Sequence, residues 1–225
     1  AHACEKIVIA HVNHKKRLQS DLEETYLIDF ANEKGIKIYV KHLSNHPSDN
    51  FQAWARSERY MFFKEIMAKE KLDFCLTAHH ANDQAETILM RLMKQSSMRG
   101  YAGLRKWAEF DFLTLYRPLL EVSKEEIAQY ALNNNLKYFD DYSNFEDNYL
   151  RNRIRSNVIP FFQEENPSFL KAINNFAKDM HELCDLLEEM VGSFIKQEVV
   201  VNNKDITLDI EHLKNLKPLL QVEVL

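Results

Sequence analysis

Short apolar runs with the character of β-strands alternate with helical segments through the first half of the sequence. The strand-like runs cover 6–12, 36–43, 72–77 and 112–116, and the first is rich in β-branched residues. Strands separated by helices need crossover connections, which place consecutive strands in parallel. The sequence therefore predicts an α/β fold, with a parallel sheet covered by helices on both faces and ligands bound beyond the carboxyl ends of its strands.

Helices are predicted where capping signals and apolar spacing coincide. Ser20–Glu23 and Ser123–Glu126 both have the S-x-x-E pattern of a capping box, and Gly35 is a stop signal. The predicted helices cover 20–33, 51–70, 85–94, 123–133 and 149–155.

The sequence after residue 165 has a different character. Apolar side chains recur at every third or fourth position over 167–197, which predicts one long amphipathic helix, followed by a hairpin and a further helical segment. We expect a domain boundary near Glu165. The prediction is an α/β domain over 1–165, then a linker helix and the start of a small α+β domain over 166–225.

Composition narrows the class of protein. A net charge of −5 excludes a uniformly basic nucleic-acid binder, and no run is long enough to span a membrane. No basic segment leads into a long apolar one in the first residues, so we expect no signal peptide; three scattered cysteines without C-x-x-C predict a reduced, cytoplasmic protein. Residues 88–108 nevertheless contain five cations and no acid, which is typical of a nucleic-acid groove or, more simply, of a solvated face.

The stretch T-A-H-H-A-N-D-Q-A-E-T, residues 77–87, joins a predicted strand to a predicted helix. Asp83 and Glu86 lie one turn apart, and anions near a helix N-terminus are stabilised by the helix dipole, so they could hold an ammonium or a metal–phosphate group. The same pair resembles a capping box, in which acids serve only the helix's own amides. Three neighbouring side chains are not needed by a cap and favour a ligand site: His79, His80 and Asn82.

Arginines recur in two further segments. Arg151 and Arg155 lie one turn apart in Y-L-R-N-R-I-R, and like charges this close require an anion nearby. That anion is either the acidic stretch 140–147 or a phosphate of a nucleotide or RNA. Arg56 and Arg59 also have two interpretations: they are surface charges paired with Glu58, or they bind a phosphate.

Six segments, taken in order, resemble the bacterial tRNA(Ile)-lysidine synthases, a family of N-type ATP pyrophosphatases. One such segment is modest evidence, whereas six in the same order are highly specific. They are A-H-V-N-H (10–14), A-R-S-E-R-Y (55–60), A-H-H-A-N-D-Q-A-E-T (78–87), M-R-G-Y-A-G-L (98–104), R-P-L-L-E-V-S-K-E-E-I (117–127) and R-N-R-I-R-S-N-V-I-P (151–160).

The resemblance implies a ligase that uses ATP and Mg²⁺ to form a carbon–nitrogen bond. ATP adenylates C2 of the wobble cytidine in an isoleucine tRNA with a CAU anticodon, and free L-lysine then displaces AMP to give lysidine. It also implies a cytoplasmic protein without a membrane partner, a homodimer in many members, a catalytic domain at 1–165, and the start of a tRNA-binding domain after it.

The resemblance further implies roles for individual residues. Asp83 and Glu86 match the lysine-binding acids, and no metal-binding residue is implied. The implied catalytic residues are Arg59, His79, Arg151 and Arg155; the ATP-binding residues are Ala10, His11, Asn13, Arg59 and His79; the residues facing tRNA are Arg91, Lys94, Arg99, Arg105 and Lys106.

The sequence departs from the family at two places. Members have a first strand and an S-G-G-x-D-S loop whose backbone amides hold pyrophosphate, and neither precedes Lys6 here. Without that strand, backbone hydrogen-bonding groups in the centre of the predicted sheet would have no partner strand. We therefore expect missing upstream sequence and an inactive 225-residue chain. Asn82 stands where the family suggests an acid, which would weaken metal binding.

Two other functions stay open from the residues alone. One is a metal-dependent hydrolase with His79, His80, Asp83 and Glu86 as ligands. The other is a non-catalytic RNA-binding protein that lacks the nucleotide loop. A tRNA thiolase is disfavoured, because the sequence has no paired cysteines. ATP-dependent transfer of lysine distinguishes these alternatives.

Overall fold

The computed structural model describes residues 6–15, 18–43, 51–110, 113–139, 150–201 and 205–224. The chain groups into two compact units. Unit 1 comprises Ala1–His79, Lys106–Pro118 and Ala128–Asp141, and unit 2 comprises His80–Arg105, Leu119–Ile127 and Tyr142–Leu225. Within the described residues, no helix is both long and apolar enough to cross a membrane.

Unit 1 contains two small sheets. In the first, β1 (Val8–Asn13) is parallel to β2 (Lys37–His42), with Val8 opposite Lys37 and Asn13 opposite His42. In the second, β5 (Leu113–Tyr116) lies between β3 (Cys75–Leu76), which is parallel to it, and β4 (Trp107–Phe110), which is antiparallel.

The α/β class is therefore confirmed, but the arrangement of strands differs from the prediction. The sequence predicted one parallel sheet, whereas the described strands of unit 1 form two, in the orders β1-β2 and β3-β5-β4. Strand β4 was not predicted, because W-A-E-F is short and sits among charged residues. Among the described residues β1 pairs only with β2.

The helices follow the predicted order, with shifted ends. A π-helical turn, Ile154–Val158, separates α6 from α7. The helices are α1 (Leu18–Glu33), α2 (Phe51–Glu70), α3 (Ala81–Lys94), α4 (Met98–Tyr101), α5 (Lys124–Asn133), α6 (Leu150–Arg153), α7 (Ile159–Glu165), α8 (Phe169–Glu198), α9 (Ile210–Lys214) and α10 (Pro218–Val224).

The two predicted capping boxes had different outcomes. At α5 the prediction is confirmed: Glu126 Oε2 accepts from the Ser123 backbone nitrogen at 2.8 Å, and Ser123 Oγ accepts from the Glu126 nitrogen at 3.1 Å. At α1 it is wrong, because the helix begins at Leu18 and Ser20 lies inside it. The predicted hairpin is confirmed, with β6 (Val199–Val201) antiparallel to β7 (Ile206–Leu208).

Each unit has its own apolar core. In unit 1, Tyr60, Leu113 and Leu115 are buried, and Cys75 packs against them. In unit 2, α3 contributes small residues to a cluster with the segment around the π-helical turn and the start of α8; its buried members are Ala81, Ala85, Ile154, Ile159 and Leu170. Because Ala81 and Ala85 of α3 are small, the segment that carries the arginines can approach α3 closely. This close approach positions the site described next.

Candidate active site

Glu86 lies at the centre of an ion-pair cluster in unit 2. Its side chain has 0% exposure. Arg151 Nε donates to Glu86 Oε2 at 2.6 Å, and Arg155 donates through Nε to Oε1 at 2.5 Å and through Nη2 to Oε2 at 3.1 Å. Both carboxylate oxygens are therefore bonded to guanidinium groups, and charge-assisted bonds of this kind are among the strongest in proteins.

Asp83 has two kinds of partner. Its Oδ2 accepts a hydrogen bond from the backbone nitrogen of His80 at 3.1 Å, which closes the first turn of α3. Its Oδ1 lies 3.3 Å from Arg151 Nη2 and 3.6 Å from Arg155 Nη2. The sequence left capping and charge recognition open as alternatives, and this carboxylate has the contacts of both.

The arginines reach the acids from an irregular stretch of helix. Arg151 lies in α6, and Arg155 lies in the π-helical turn that follows it. Such turns widen a helix locally and are frequent at functional sites. Ile154 and Ile159, at the two ends of the turn, are buried in the unit 2 core, so the turn is held firmly against α3.

The anion that compensates Arg151 and Arg155 is the pair Asp83 and Glu86. The predicted alternative, the acidic stretch 140–147, lies outside the described residues. Among the described residues of this cluster, the charges of the two carboxylates balance those of the two guanidiniums. Any ammonium or phosphate ligand must therefore compete with bonds that already exist within it.

His79 lies in unit 1, directly after β3. Its Nδ1 is 2.9 Å from Thr77 Oγ1, which fixes the orientation of the imidazole ring. His80 lies in unit 2, and its Nε2 is 3.5 Å from Asp83 Oδ2. The two histidines, which both directly precede α3, thus have different partners.

Arg59 lies on α2 beside other cationic and aromatic groups. Desolvation by neighbouring protein atoms lowers the pKa of its guanidinium, although the side chain keeps a solvent-exposed face; Tyr60 opposes this shift and Arg56 adds to it. The Arg56 guanidinium stacks 4.8 Å from the centroid of the Tyr60 ring. Because two guanidiniums lie near each other here, an anionic ligand would relieve their repulsion.

The end of β1 carries three residues implied to bind ATP: Ala10, His11 and Asn13. Asn13 is 1% exposed, and its amide nitrogen bonds to Asp21 Oδ1 at 2.9 Å and to Glu24 Oε2 at 2.7 Å. Burial lowers the pKa of His11, while the Glu24 and Glu23 carboxylates oppose that shift. Asn13 therefore ties β1 to α1, and its contact with a nucleotide stays a prediction.

The five cations implied to face tRNA have different environments. Arg105 forms a two-pronged ion pair with Asp185 of α8, at 2.6 Å and 3.1 Å. Arg99 lies 3.3 Å from Glu188 and 3.7 Å from Glu223. The remaining three are exposed; among them, Arg91 and Lys94 have no ion-pair partner within the described residues, and Lys106 precedes β4.

Asn82 has a role in the fold that sequence reasoning missed. Its side-chain oxygen accepts a hydrogen bond from the backbone nitrogen of Lys124 at 2.9 Å, at the first turn of α5. The residue is 8% exposed. No short-range pattern could have revealed this contact, because its partners are 42 residues apart.

The described residues contain no group of three or more His, Cys, Asp and Glu side chains arranged to hold a metal ion. The acids assigned to the hydrolase alternative, Asp83 and Glu86, are bonded to arginines. A metal bound there would have to displace two guanidinium groups. The geometry therefore does not favour the hydrolase.

The chain is similar to known proteins in sequence. The model of the PP-loop domain family matches residues 2–162. A tRNA(Ile)-lysidine synthase of Streptococcus pyogenes serotype M3 is 38% identical over 88% of this chain and 44% of its own length. One from Streptococcus equi subsp. zooepidemicus is 42% identical over 82% of this chain and 41% of its own length. The chain thus spans less than half of these curated relatives.

The fold also has a solved counterpart. The U34-tRNA thiolase NcsA from Methanococcus maripaludis, solved with its [4Fe-4S] cluster, superposes with a TM-score of 0.65 at 16% identity, covering 79% of this chain and 62% of that one. A likeness at this identity concerns the fold alone. From the match of most of its length to the family model, we conclude that this chain belongs to the PP-loop domain family.

Proposed function

We propose that this chain is the catalytic part of a tRNA(Ile)-lysidine synthase. The proposal is supported by the names of its relatives and by the PP-loop domain match. The single observation that carries it is the cluster of Asp83 and Glu86 with Arg151 and Arg155, because it brings together anions for a cationic amino acid and cations for a phosphate.

The proposed reaction has two steps. The oxygen on C2 of the wobble cytidine attacks the α-phosphorus of ATP, and the bond to pyrophosphate breaks. The amine nitrogen of L-lysine then attacks C2, the C2–O bond breaks with its electron pair leaving on AMP, and the amine loses a proton. Each step develops negative charge on phosphate oxygens, which positioned guanidinium groups stabilise.

Asp83 is the more accessible of the two proposed lysine-binding acids. It keeps 14% side-chain exposure, whereas Glu86 keeps 0%. Its contacts with the arginines, at 3.3 Å and 3.6 Å, are also longer than those of Glu86. An incoming lysine ammonium would therefore displace an arginine from Asp83 first, and Glu86 would keep the arginines near the site.

ATP would be held by residues of β1, by His79 after β3 and by Arg59 of α2. We assign Arg59 and His79 to its phosphates, and the end of β1, from Ala10 to Asn13, to the approach of the nucleotide. Mg²⁺ would bind to the ATP phosphates, because Mg²⁺ in such enzymes is commonly held largely by substrate oxygens.

The other parts of the proposal follow the family. The RNA partner is an isoleucine tRNA with a CAU anticodon, and Arg91 and Lys94 are the best-placed of the basic residues to meet it, because they are exposed and not ion-paired within the described residues. Residues 166–225 would begin the tRNA-binding domain. A homodimer and a cytoplasmic location complete the proposal.

The test is transfer of labelled L-lysine to tRNA by the native gene product, with ATP and Mg²⁺. The matched control is the same tRNA with its wobble cytidine replaced by uridine. Lysine should enter only the cytidine form, and AMP and pyrophosphate should appear with it in equal amounts. Equal labelling of both tRNAs would show that the base is not the acceptor, and release of phosphate without lysine transfer would favour a hydrolase.

A further inference from the structure

Gln84, which lies between the two site acids on α3, binds both backbone groups of one distant residue. Its Nε2 donates to the Leu104 carbonyl at 3.0 Å, and its Oε1 accepts from the Leu104 backbone nitrogen at 2.6 Å. Gln84 is 2% exposed. A buried amide whose donor and acceptor are both matched fixes its partner in one register, which an apolar contact does not do.

The segment that Gln84 holds has a conformation that requires glycine. Gly103 has φ +74°, and a Cβ added there would lie 2.6 Å from Gln84 Oε1 and 2.9 Å from Ile88 Cγ1. The backbone at Gly103 can therefore lie this close to α3 only because glycine has no side chain.

The same segment is also attached to the long helix α8. The Leu104 carbonyl accepts a second hydrogen bond, from His181 Nε2 at 3.2 Å. The next residue, Arg105, is ion-paired with Asp185. Gly103–Arg105 thus contacts both α3, which carries the acids, and α8. All of these residues belong to unit 2.

We infer that Gln84 is a positioning residue for the RNA substrate: it holds the segment Gly103–Arg105, whose arginine is one of the cations implied to face tRNA, in a fixed place relative to Asp83 and Glu86. The inference rests on the proposed function. Gln84 adjoins Asp83 in sequence, and its partner Leu104 adjoins Arg105, so one side chain links the lysine-binding acids to the segment assigned to tRNA. Neither lysine nor ATP needs to touch Gln84 for this role.

The test compares Gln84→Met with Ser123→Ala in the native gene product. Ser123 is the control, because its side chain also bonds a backbone nitrogen within unit 2, at the start of α5, and has no assigned ligand. Gln84→Met should raise the KM and Kd for tRNA roughly tenfold and leave the KM for lysine unchanged. Ser123→Ala should lower the melting temperature without changing the Kd for tRNA.

A second variant covers the case in which Gln84→Met does not fold. Gln84→Glu keeps the acceptor for the Leu104 nitrogen and loses the donor, until protonation restores an O–H group. Burial raises the pKa of such a carboxyl, so the Kd of this variant for tRNA should fall toward the wild-type value as the pH is lowered from about 8 to about 6.

Two results would overturn the inference. One is a loss of stability in the Gln84 variants with no change in the Kd for tRNA; the other is an equal rise in the KM values for tRNA and lysine. The Kd for tRNA does not depend on catalysis. A wild-type protein that binds tRNA but transfers no lysine would therefore overturn the proposed function while the role of Gln84 could still be measured.

Discussion

Arg155 Nε lies 2.5 Å from Glu86 Oε1, and the Glu86 side chain is fully buried. The two residues are 69 positions apart in sequence. Arg155 itself keeps 30% of its side chain exposed. The pair therefore joins a buried anion to a cation at the surface, and the anion depends on the arginines for its compensation.

Removal of the Glu86 carboxylate should destabilise the fold. Glu86→Ala leaves Arg151 and Arg155 without their main partner, but these arginines can be hydrated in part, so we expect a loss of about 2 kcal/mol in the free energy of unfolding. Urea denaturation monitored by circular dichroism measures it. Glu182→Ala on the exposed face of α8 is the control and should change that free energy by less than about 0.5 kcal/mol. Equal effects of both substitutions would contradict this account of Glu86.

Asp83→Ala should abolish lysine transfer and leave the fold intact. The loss of the bond to the His80 nitrogen should cost about 1 kcal/mol, which is small beside the effect on activity. Lysine incorporation and thermal melting are measured on the same preparation, with the exposed Asp179→Ala as control. Normal lysine transfer by Asp83→Ala would refute the assigned role.

Glu70 should make stability depend on pH in the acidic range. Hydrogen bonds from Lys37, Lys6 and Tyr39 lower its pKa from 4.5 to about 2. Because the charged form is favoured in the folded state, this contribution is present above pH 4.5 and is lost as the pH falls toward about 2. Glu70→Gln should lower the melting temperature at neutral pH and reduce its decline over that interval. Glu33→Gln should do neither, because both Glu33 and its partner Lys34 are exposed to solvent.

Substitution by alanine should change the stability of the fold in opposite directions at Gly103 and Gly192. Gly103→Ala adds a Cβ at positive φ against Gln84 and should cost roughly 1–2 kcal/mol or more. Gly192 lies inside α8 with open space around it, so Gly192→Ala should stabilise the protein by about 0.5–1 kcal/mol. Differential scanning calorimetry of both variants checks the signs. A Gly103→Ala protein as stable as the wild type would show that the close approach to Gln84 is not needed.

Local patterns in the sequence predicted local structure well. The capping box at Ser123 and Glu126 and the long helix up to Glu198 involve residues only a few positions apart, and both are found. The start of α3 was placed four residues too late, at Ala85 instead of Ala81, because H-H-A-N-D carries few apolar side chains. Because α3 begins at Ala81, Asp83 is the third residue of the helix, whereas the predicted start at Ala85 would place it before the helix.

Long-range partners could not be predicted from local patterns. The spacing of Arg151 and Arg155 indicated that an anion was needed, but not that Asp83 and Glu86 supply it. The contacts of Gln84 with Leu104 and of Asn82 with Lys124 had no signal either, because a buried amide has no characteristic spacing. Such contacts depend on how segments pack, which is settled by the whole core.

The most direct measurement is the mass of the wobble nucleoside of isoleucine tRNA with a CAU anticodon, after incubation with the native gene product, ATP, Mg²⁺ and L-lysine. The nucleoside is isolated by digestion and analysed by mass spectrometry. If lysidine is formed, cytidine gains the mass of one lysine less one water, and this gain requires ATP. Cytidine of unchanged mass, with protein that binds both ATP and the tRNA, would contradict the proposed function.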